Sequence, residues 1–141
     1  MVSSLLDTSV YVAAFRRAPG RAFTPRNDDP ESPLWLSAVV LEELYAGATD
    51  RNRETVKRLE KGFDRVDKIV VPALDDWAQA GRVLAQLAAK YDYEAIGRGR
   101  LTNDALIAVS AARMNIQVIT ANARDFGRLA EFCAIQWQLE T

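Results

Sequence analysis

Short apolar runs recur along the chain, and longer stretches of helical periodicity separate them. "SSLLD" (3–7), "LWLS" (34–37), "KIVVPAL" (68–74), "QVIT" (117–120) and "AIQWQ" (134–138) read as strands. Between them, "TSVYVAAF" reads as a helix with Asp7 or Thr8 near its cap, and "AVVLEELYAGAT" as one that opens after Ser37. "RETVKRLEKGFDRV" (53–66) places apolar residues at 56, 59, 63 and 66, a helical spacing. "DWAQAGRVLAQLAAKY", with Asp75 as cap, the segment from Asn103 to Asn115, and "ARDFGRLAEF" are further helices. Strands that alternate with helices cannot pair as hairpins. They predict a mainly parallel sheet covered by helices on both faces, an α/β fold. No internal repeat or linker divides the chain, so residues 1–141 read as one domain.

Two stretches interrupt the pattern. "RRAPGRAFTPRNDDPESP" (16–33) holds four of the five prolines and reads as a long loop, of the kind that is functional or mobile. "EAIGRGRL" reads as a Gly-broken, Arg-bearing loop ahead of the helix that Asn103 and Asp104 open.

Composition narrows the chemistry. The chain has no His, which excludes His-based acid–base catalysis, Ser–His and Cys–His nucleophiles, and His-ligated zinc. Cys133 is the single cysteine, so a disulfide framework or a Cys-based zinc site is excluded as well. Catalysis must then use carboxylates, Lys, Tyr or a metal held by oxygen. A net charge of −1 argues against nucleic-acid binding by overall field, although fourteen of the eighteen basic residues are Arg, whose planar fork suits phosphate. No apolar run approaches the ~20 residues that span a bilayer. "MVSSLLDTSV" lacks the basic segment of a secretory signal, and a cytoplasmic location is expected.

In open parallel sheets, ligands bind outside the carboxyl ends of the strands, where strand order reverses. The acids cluster there in sequence terms. Asp7 ends the first strand, and Asn122 and Asp125 follow "QVIT". Glu43 lies two turns into the helix leaving the second strand, and Asp104 opens the helix before the fourth. Each has a plain structural alternative: Asp7 as a helix cap, Asp104 as a first-turn acid favoured by the helix dipole, Glu42 and Glu43 as solvated surface acids. Helical geometry sets Glu42 opposite the apolar face of Val40, Leu41, Leu44 and Ala48. Glu43 falls on its flank, with Gly47 one turn further on leaving room beside it. Several acids at one sheet end repel one another, and an oxygen-ligated cation such as Mg²⁺ or Mn²⁺ answers that repulsion.

"LLDTSV", "LSAVVLEELYAG", "NDALIAVSAA" and "VITANARDF", in this order, make the chain resemble the PIN-domain nucleases, and within them the VapC-like toxins of toxin–antitoxin pairs. The resemblance covers nearly the whole length. It implies a three-layer α/β/α sandwich with strand order 3-2-1-4-5. It also implies an Mg²⁺- or Mn²⁺-dependent endoribonuclease in which water attacks a phosphodiester in line, leaving a 5′-phosphate and a 3′-hydroxyl. The family's acids carry over to Asp7, Glu43 and Asp104, with Asp7 and Asp104 as principal metal ligands and Glu43 holding or orienting a water. The fourth position, Asp in many relatives, falls on Asn122, so either Asn122 or Asp125 completes the set. Loop 16–33 departs from the short helix of many relatives.

Basic residues must flank an acidic pocket that handles RNA. Arg98, Arg100 and Arg124 are candidate phosphate contacts, as are Arg16, Arg17, Arg21 and Arg26; the alternative for each is a solvated surface Arg. The resemblance further implies a homodimer. It also implies a cognate antitoxin that places an Arg in the acidic pocket and an apolar helix in a groove. The Ala-rich helices suit such packing, but Ala85 to Ala89 read first as core, and Trp35, Trp77 and Trp137 as core or interface rather than stacking platforms. The competing classes are a catalytically silent PIN-like module and a metal-dependent phosphatase. The phosphatase is disfavoured because "DTSV" is not D-x-D-x-T, and a dinucleotide fold lacks its G-x-G-x-x-G.

Overall fold

The computed structural model describes residues 2–17, 33–92 and 98–140, with only the backbone described over 98–100. Most of the Pro-rich loop, including Arg21 and Arg26, lies outside the described residues. Five strands form one sheet: β1 (Ser4–Leu6), β2 (Leu34–Ser37), β3 (Ile69–Val70), β4 (Gln117–Thr120) and β5 (Trp137–Leu139). Their order is β3-β2-β1-β4-β5, and every neighbouring pair is parallel. Among the described residues six helices flank the sheet: α1 (Thr8–Arg17), α2 (Ala38–Ala46), α3 (Asp50–Arg65), α4 (Leu74–Tyr91), α5 (Arg98–Arg113) and α6 (Ala123–Leu129). The α/β/α arrangement and the strand order agree with the expectation.

Each of four strands sends one apolar side chain wholly out of water: Leu5, Leu36, Val70 and Val118. Each such burial stabilises by roughly 1.5–3 kcal/mol. Helices close over them by their apolar stripes. In α3, Thr55, Val56, Leu59, Gly62 and Phe63 are buried at helical spacing while the intervening charges face solvent. Helix α5 is more extreme, with Ala105 to Ala111 buried without a break. Ser110 satisfies its hydroxyl there by donating to the Leu106 carbonyl at 2.6 Å. At the far end of α5, Asn115 takes a left-handed conformation (φ 58°), which Asn tolerates, and turns the chain into β4.

Several boundaries differ from those expected. Helix α5 begins at Arg98, so residues 98–100 belong to its first turn rather than to a loop, and Asp104 is its seventh residue rather than its opening one. Gly99 weakens a helix by about 1 kcal/mol relative to Ala, which the burial of the rest of α5 offsets. The dipole explanation for Asp104 therefore falls away. Asp76, not Asp75, caps α4: its Oδ2 accepts from the Ala73 amide at 2.8 Å. Helix α1 runs on through Arg17, and β3 is confined to two residues. Strand β5 begins at Trp137, where its ladder to Val118 starts. In α4 the buried stripe is Ala80, Val83 and Leu87, whereas Ala85 and Ala89 are exposed and not core. Trp35 and Trp137 pack against the core, but Trp77 is 57% exposed. No helix among the described residues is long and apolar enough to cross a membrane.

Candidate active site

Strand order reverses between β1 and β4, and the chain leaves both strands at the same edge. The Asp7 amide donates to the Ile119 carbonyl at 2.8 Å, so Asp7 emerges level with the end of β4. Its carboxylate is 4% exposed. Oδ2 accepts from the Ser9 hydroxyl at 2.9 Å and from the Thr120 hydroxyl at 3.0 Å. Oδ1 is buried with no hydrogen-bond partner. No α1 amide donates to this carboxylate, so Asp7 does not act as a side-chain cap.

The same two hydroxyls join the strand ends. Ser9 Oγ also accepts from the Ala121 amide at 3.1 Å, and Thr120 Oγ1 from the Asn122 amide at 2.9 Å. Each hydroxyl can donate once and still accept, so both turns are satisfied while one Asp7 oxygen receives two donors. Reading the sequence by its acids missed Thr8, Ser9 and Thr120. The signal was available in "DTS", directly after one strand, and in the Thr that ends "QVIT".

Glu43 comes from α2, which Ser37 starts by accepting from the Val39 amide at 3.2 Å. Glu43 is half-buried, and its Oε1 accepts from the Thr8 hydroxyl at 2.7 Å. Its neighbour Glu42 is exposed, as helical geometry implied, but is not idle: it accepts from the Asn103 amide at 3.2 Å. That bond ties α2 to α5 one residue away from both Glu43 and Asp104, and so fixes their mutual approach. Asp104 is itself buried.

Asp7, Glu43, Asp104 and Asn122 line one pocket of about 340 Å³, together with Thr8 and Arg16. Among the described residues, three carboxylates and the Arg16 guanidinium line it. Burying an oxygen such as Asp7 Oδ1 without a donor costs about 1–3 kcal/mol or more for a charged group, and a cation is the species that would remove this cost. Among the described residues, no three acidic or thiol side chains converge closely enough to hold an ion by themselves. Mg²⁺ and Mn²⁺ take one or two carboxylates and keep much of their water, and Asp7 and Asp104 are oxygen donors of that kind on one pocket.

Asp125 does not line this pocket. It is buried behind Asn122, whose Nδ2 donates to Asp125 Oδ2 at 2.8 Å while Asn122 Oδ1 accepts from the Asp125 amide at 3.4 Å. Asn122 caps α6 by accepting from the Asp125 amide, and Asp125 in turn holds the Asn122 side chain in place. Arg124 is largely exposed, loosely paired with Asp125 at 3.5 Å, and likewise outside the pocket lining. Arg16 lines the pocket; Arg17 is exposed beside it in α1. Arg98 and Arg100 fall in the first turn of α5, one to two turns before Asp104, and their side chains lie outside the described residues.

The sequence matches the model of the PIN domain over residues 4–132, and the chain belongs to that family. Its fold is similar to solved chains from DNA-bound VapBC of Salmonella typhimurium (23% identity, 99% of this chain and 98% of that chain, TM-score 0.67). It is also similar to VapBC2 of Rickettsia felis bound to a promoter DNA fragment (21% identity, 100% of both chains, TM-score 0.66). A third likeness is to VapBC-5 of Mycobacterium tuberculosis, a member of the VapBC family of toxin–antitoxin systems (24% identity, 99% and 98%, TM-score 0.54). At these identities the likeness is one of fold. No curated protein matches at a significant level.

Proposed function

We propose that residues 1–141 form one PIN domain acting as a divalent-cation-dependent endoribonuclease, the toxin of a toxin–antitoxin pair working in the cytoplasm. The observation that carries this reading is the buried, partnerless Oδ1 of Asp7 in a pocket shared with Glu43 and Asp104. Asp7 and Asp104 would hold Mg²⁺ or Mn²⁺, and Glu43, steadied by Thr8, would hold a ligand water or orient the attacking one. When bound, such a cation activates water and neutralises charge on a phosphoryl group. Asn122 contributes polarity without a fourth negative charge, and Asp125 fixes the orientation of its amide. Arg16, which lines the pocket, would meet the phosphates of RNA, and Arg98, Arg100 and Arg124 stay candidates for further phosphate contacts. The resemblance in fold to VapBC chains supports a protein antitoxin as partner; a homodimer is part of the proposal.

The test is incubation of purified, antitoxin-free protein with structured RNA, with and without Mn²⁺, beside Asp7→Asn. Cleavage that needs the metal and falls by at least ~10²-fold in the variant is expected. Cleavage without metal, or by an equally active variant, counts against the reading. A second reading, a catalytically silent RNA- or protein-binding module, draws on the lack of three directly converging acids among the described residues. It predicts no cleavage of any RNA and no calorimetric signal with Mn²⁺.

A further inference from the structure

Gly47, one turn beyond Glu43, has no backbone reason to be glycine. It ends α2 with φ −97°, and a Cβ built on it would meet only the Glu43 carbonyl oxygen, at an ordinary 3.5 Å. What the missing side chain leaves open is a recess of about 400 Å³, walled by Val12 and Phe15 of α1 and by Leu44 and Ala48 of the α2 end. That volume lies within the ~300–1,000 Å³ of small-ligand pockets, where apolar walls and a few polar groups are the rule. The recess adjoins the acid pocket, since Val12, Arg16 and Glu43 line both. Arg16 and Arg51 are exposed cations on its border.

Resting on the nuclease reading, we infer that this recess receives one unpaired base of the RNA, next to the phosphodiester presented to the acids. Arg16, bordering both cavities, meets the phosphate between them, and Arg51 meets the next. A base enters a recess only if it is free of its partner and its stack, so the geometry selects unpaired positions over duplex. Val12, Phe15, Leu44 and Ala48 offer apolar surface to the face of a base, while Thr49 and Asn52, which also line the recess, offer polar groups beside it. A protein helix would need a longer apolar strip. The large exposed apolar side chains among the described residues, Val2, Val71, Leu74, Trp77 and Leu139, do not border the recess.

The test is an abasic scan. Short fluorescent single-stranded oligoribonucleotides, each lacking one base, are titrated with the uncleaving Asp7→Asn protein in Mn²⁺ and followed by anisotropy. The same set is cleaved by the wild type. Removing the base at one position beside the cut bond should weaken binding and kcat/KM by about tenfold, the size expected for one stacked base. Gly47→Leu should weaken intact RNA to a similar degree and erase the difference between intact and abasic RNA. Gly47→Ala, whose single methyl takes up less of the recess, should weaken RNA less than Gly47→Leu, and the Mn²⁺-induced rise in Tm should survive in both. Equal affinity across the scan, or Gly47→Leu binding RNA like the wild type, overturns the recess assignment while Mn²⁺-dependent cleavage keeps the nuclease reading. Loss of antitoxin binding in Gly47→Leu with RNA binding intact would give the recess to a protein helix and overturn it too. If the wild type neither binds nor cleaves RNA, both readings fall.

Discussion

Thr120 Oγ1 donates to Asp7 Oδ2 at 3.0 Å, joining residues that are 113 positions apart in sequence. With Ser9 it directs two donors to one carboxylate oxygen and none to the other. A carboxylate held this way is fixed in rotation, and its second oxygen is left buried without a donor. Thr120→Val keeps the shape but removes the donor to Asp7 and the acceptor of the Asn122 amide. The expected cost is about 1–3 kcal/mol of stability and a ~10-fold loss of Mn²⁺ affinity. Both can be read by thermal melts across a Mn²⁺ titration. Thr120→Ser should restore both, because the hydroxyl and not the methyl makes the contacts. A Thr120→Val protein with unchanged Mn²⁺ response would show that Asp7 needs no such help.

Asn122→Asp tests the charge balance of the pocket. The new carboxylate would face Asp125, whose oxygen now accepts from Asn122 Nδ2 at 2.8 Å. It would also join Asp7, Glu43 and Asp104 along the pocket. Two unit charges at such range repel by on the order of 1–4 kcal/mol at an effective dielectric of about 80 to 20. The variant should melt below wild type without metal and recover when Mn²⁺ is added, a larger gain than wild type shows. Equal melting in metal-free buffer would count against a crowding of like charges at this position.

These two cases mark what was legible in the sequence. The alternation of strands and helices, the core strands and the end of the sheet that matters follow from periodicity and the switch-point rule. The strand order rested on resemblance, since pairing partners leave no local trace. The acids were legible because burying charge is costly and rare. The hydroxyls that hold them were not, because Ser and Thr cost little anywhere and so carry no warning. Asp104 was misplaced within its helix for a local reason: two glycines in "GRGR" suggested a loop, but the burial of residues after Leu101 carries the helix back to Arg98. Asp125 was read as an alternative to Asn122 for the fourth position the resemblance implies, but three residues is equally the spacing at which an N-cap side chain accepts from a backbone amide.

Arg113 offers a purely structural prediction away from the pocket. Its Nε donates to both oxygens of Asp76, at 3.0 and 2.9 Å, and Asp76 is buried while Arg113 is partly exposed. Asp76 also caps α4, so the pair fastens the start of α4 to the end of α5. Arg113→Ala leaves the carboxylate with one donor and should cost about 1–3 kcal/mol in chemical denaturation. The Mn²⁺-induced stabilisation should be unchanged, since Asp76 and Arg113 do not line the acid pocket. An altered metal response would mean that α5 transmits the strain as far as Asp104.

Alkaline stability should depend on Tyr45. Burial, the bond its hydroxyl donates to Glu60 (2.6 Å), and the nearby charges of Glu60 and Glu54 push its pKa up from 10.0 to about 12. The unfolded chain therefore releases this proton near pH 10 while the folded chain retains it. The contribution is fully present below pH 10 and is lost progressively as pH rises through about 12. Denaturation midpoints should fall across that window, and the phenolate absorbance of one Tyr should appear only toward its upper end. Tyr11, whose pKa burial also raises, adds to the same decline. Tyr45→Phe should thus flatten the pH dependence in part and not abolish it. A midpoint falling with the same slope in Tyr45→Phe as in wild type would assign the whole effect to Tyr11.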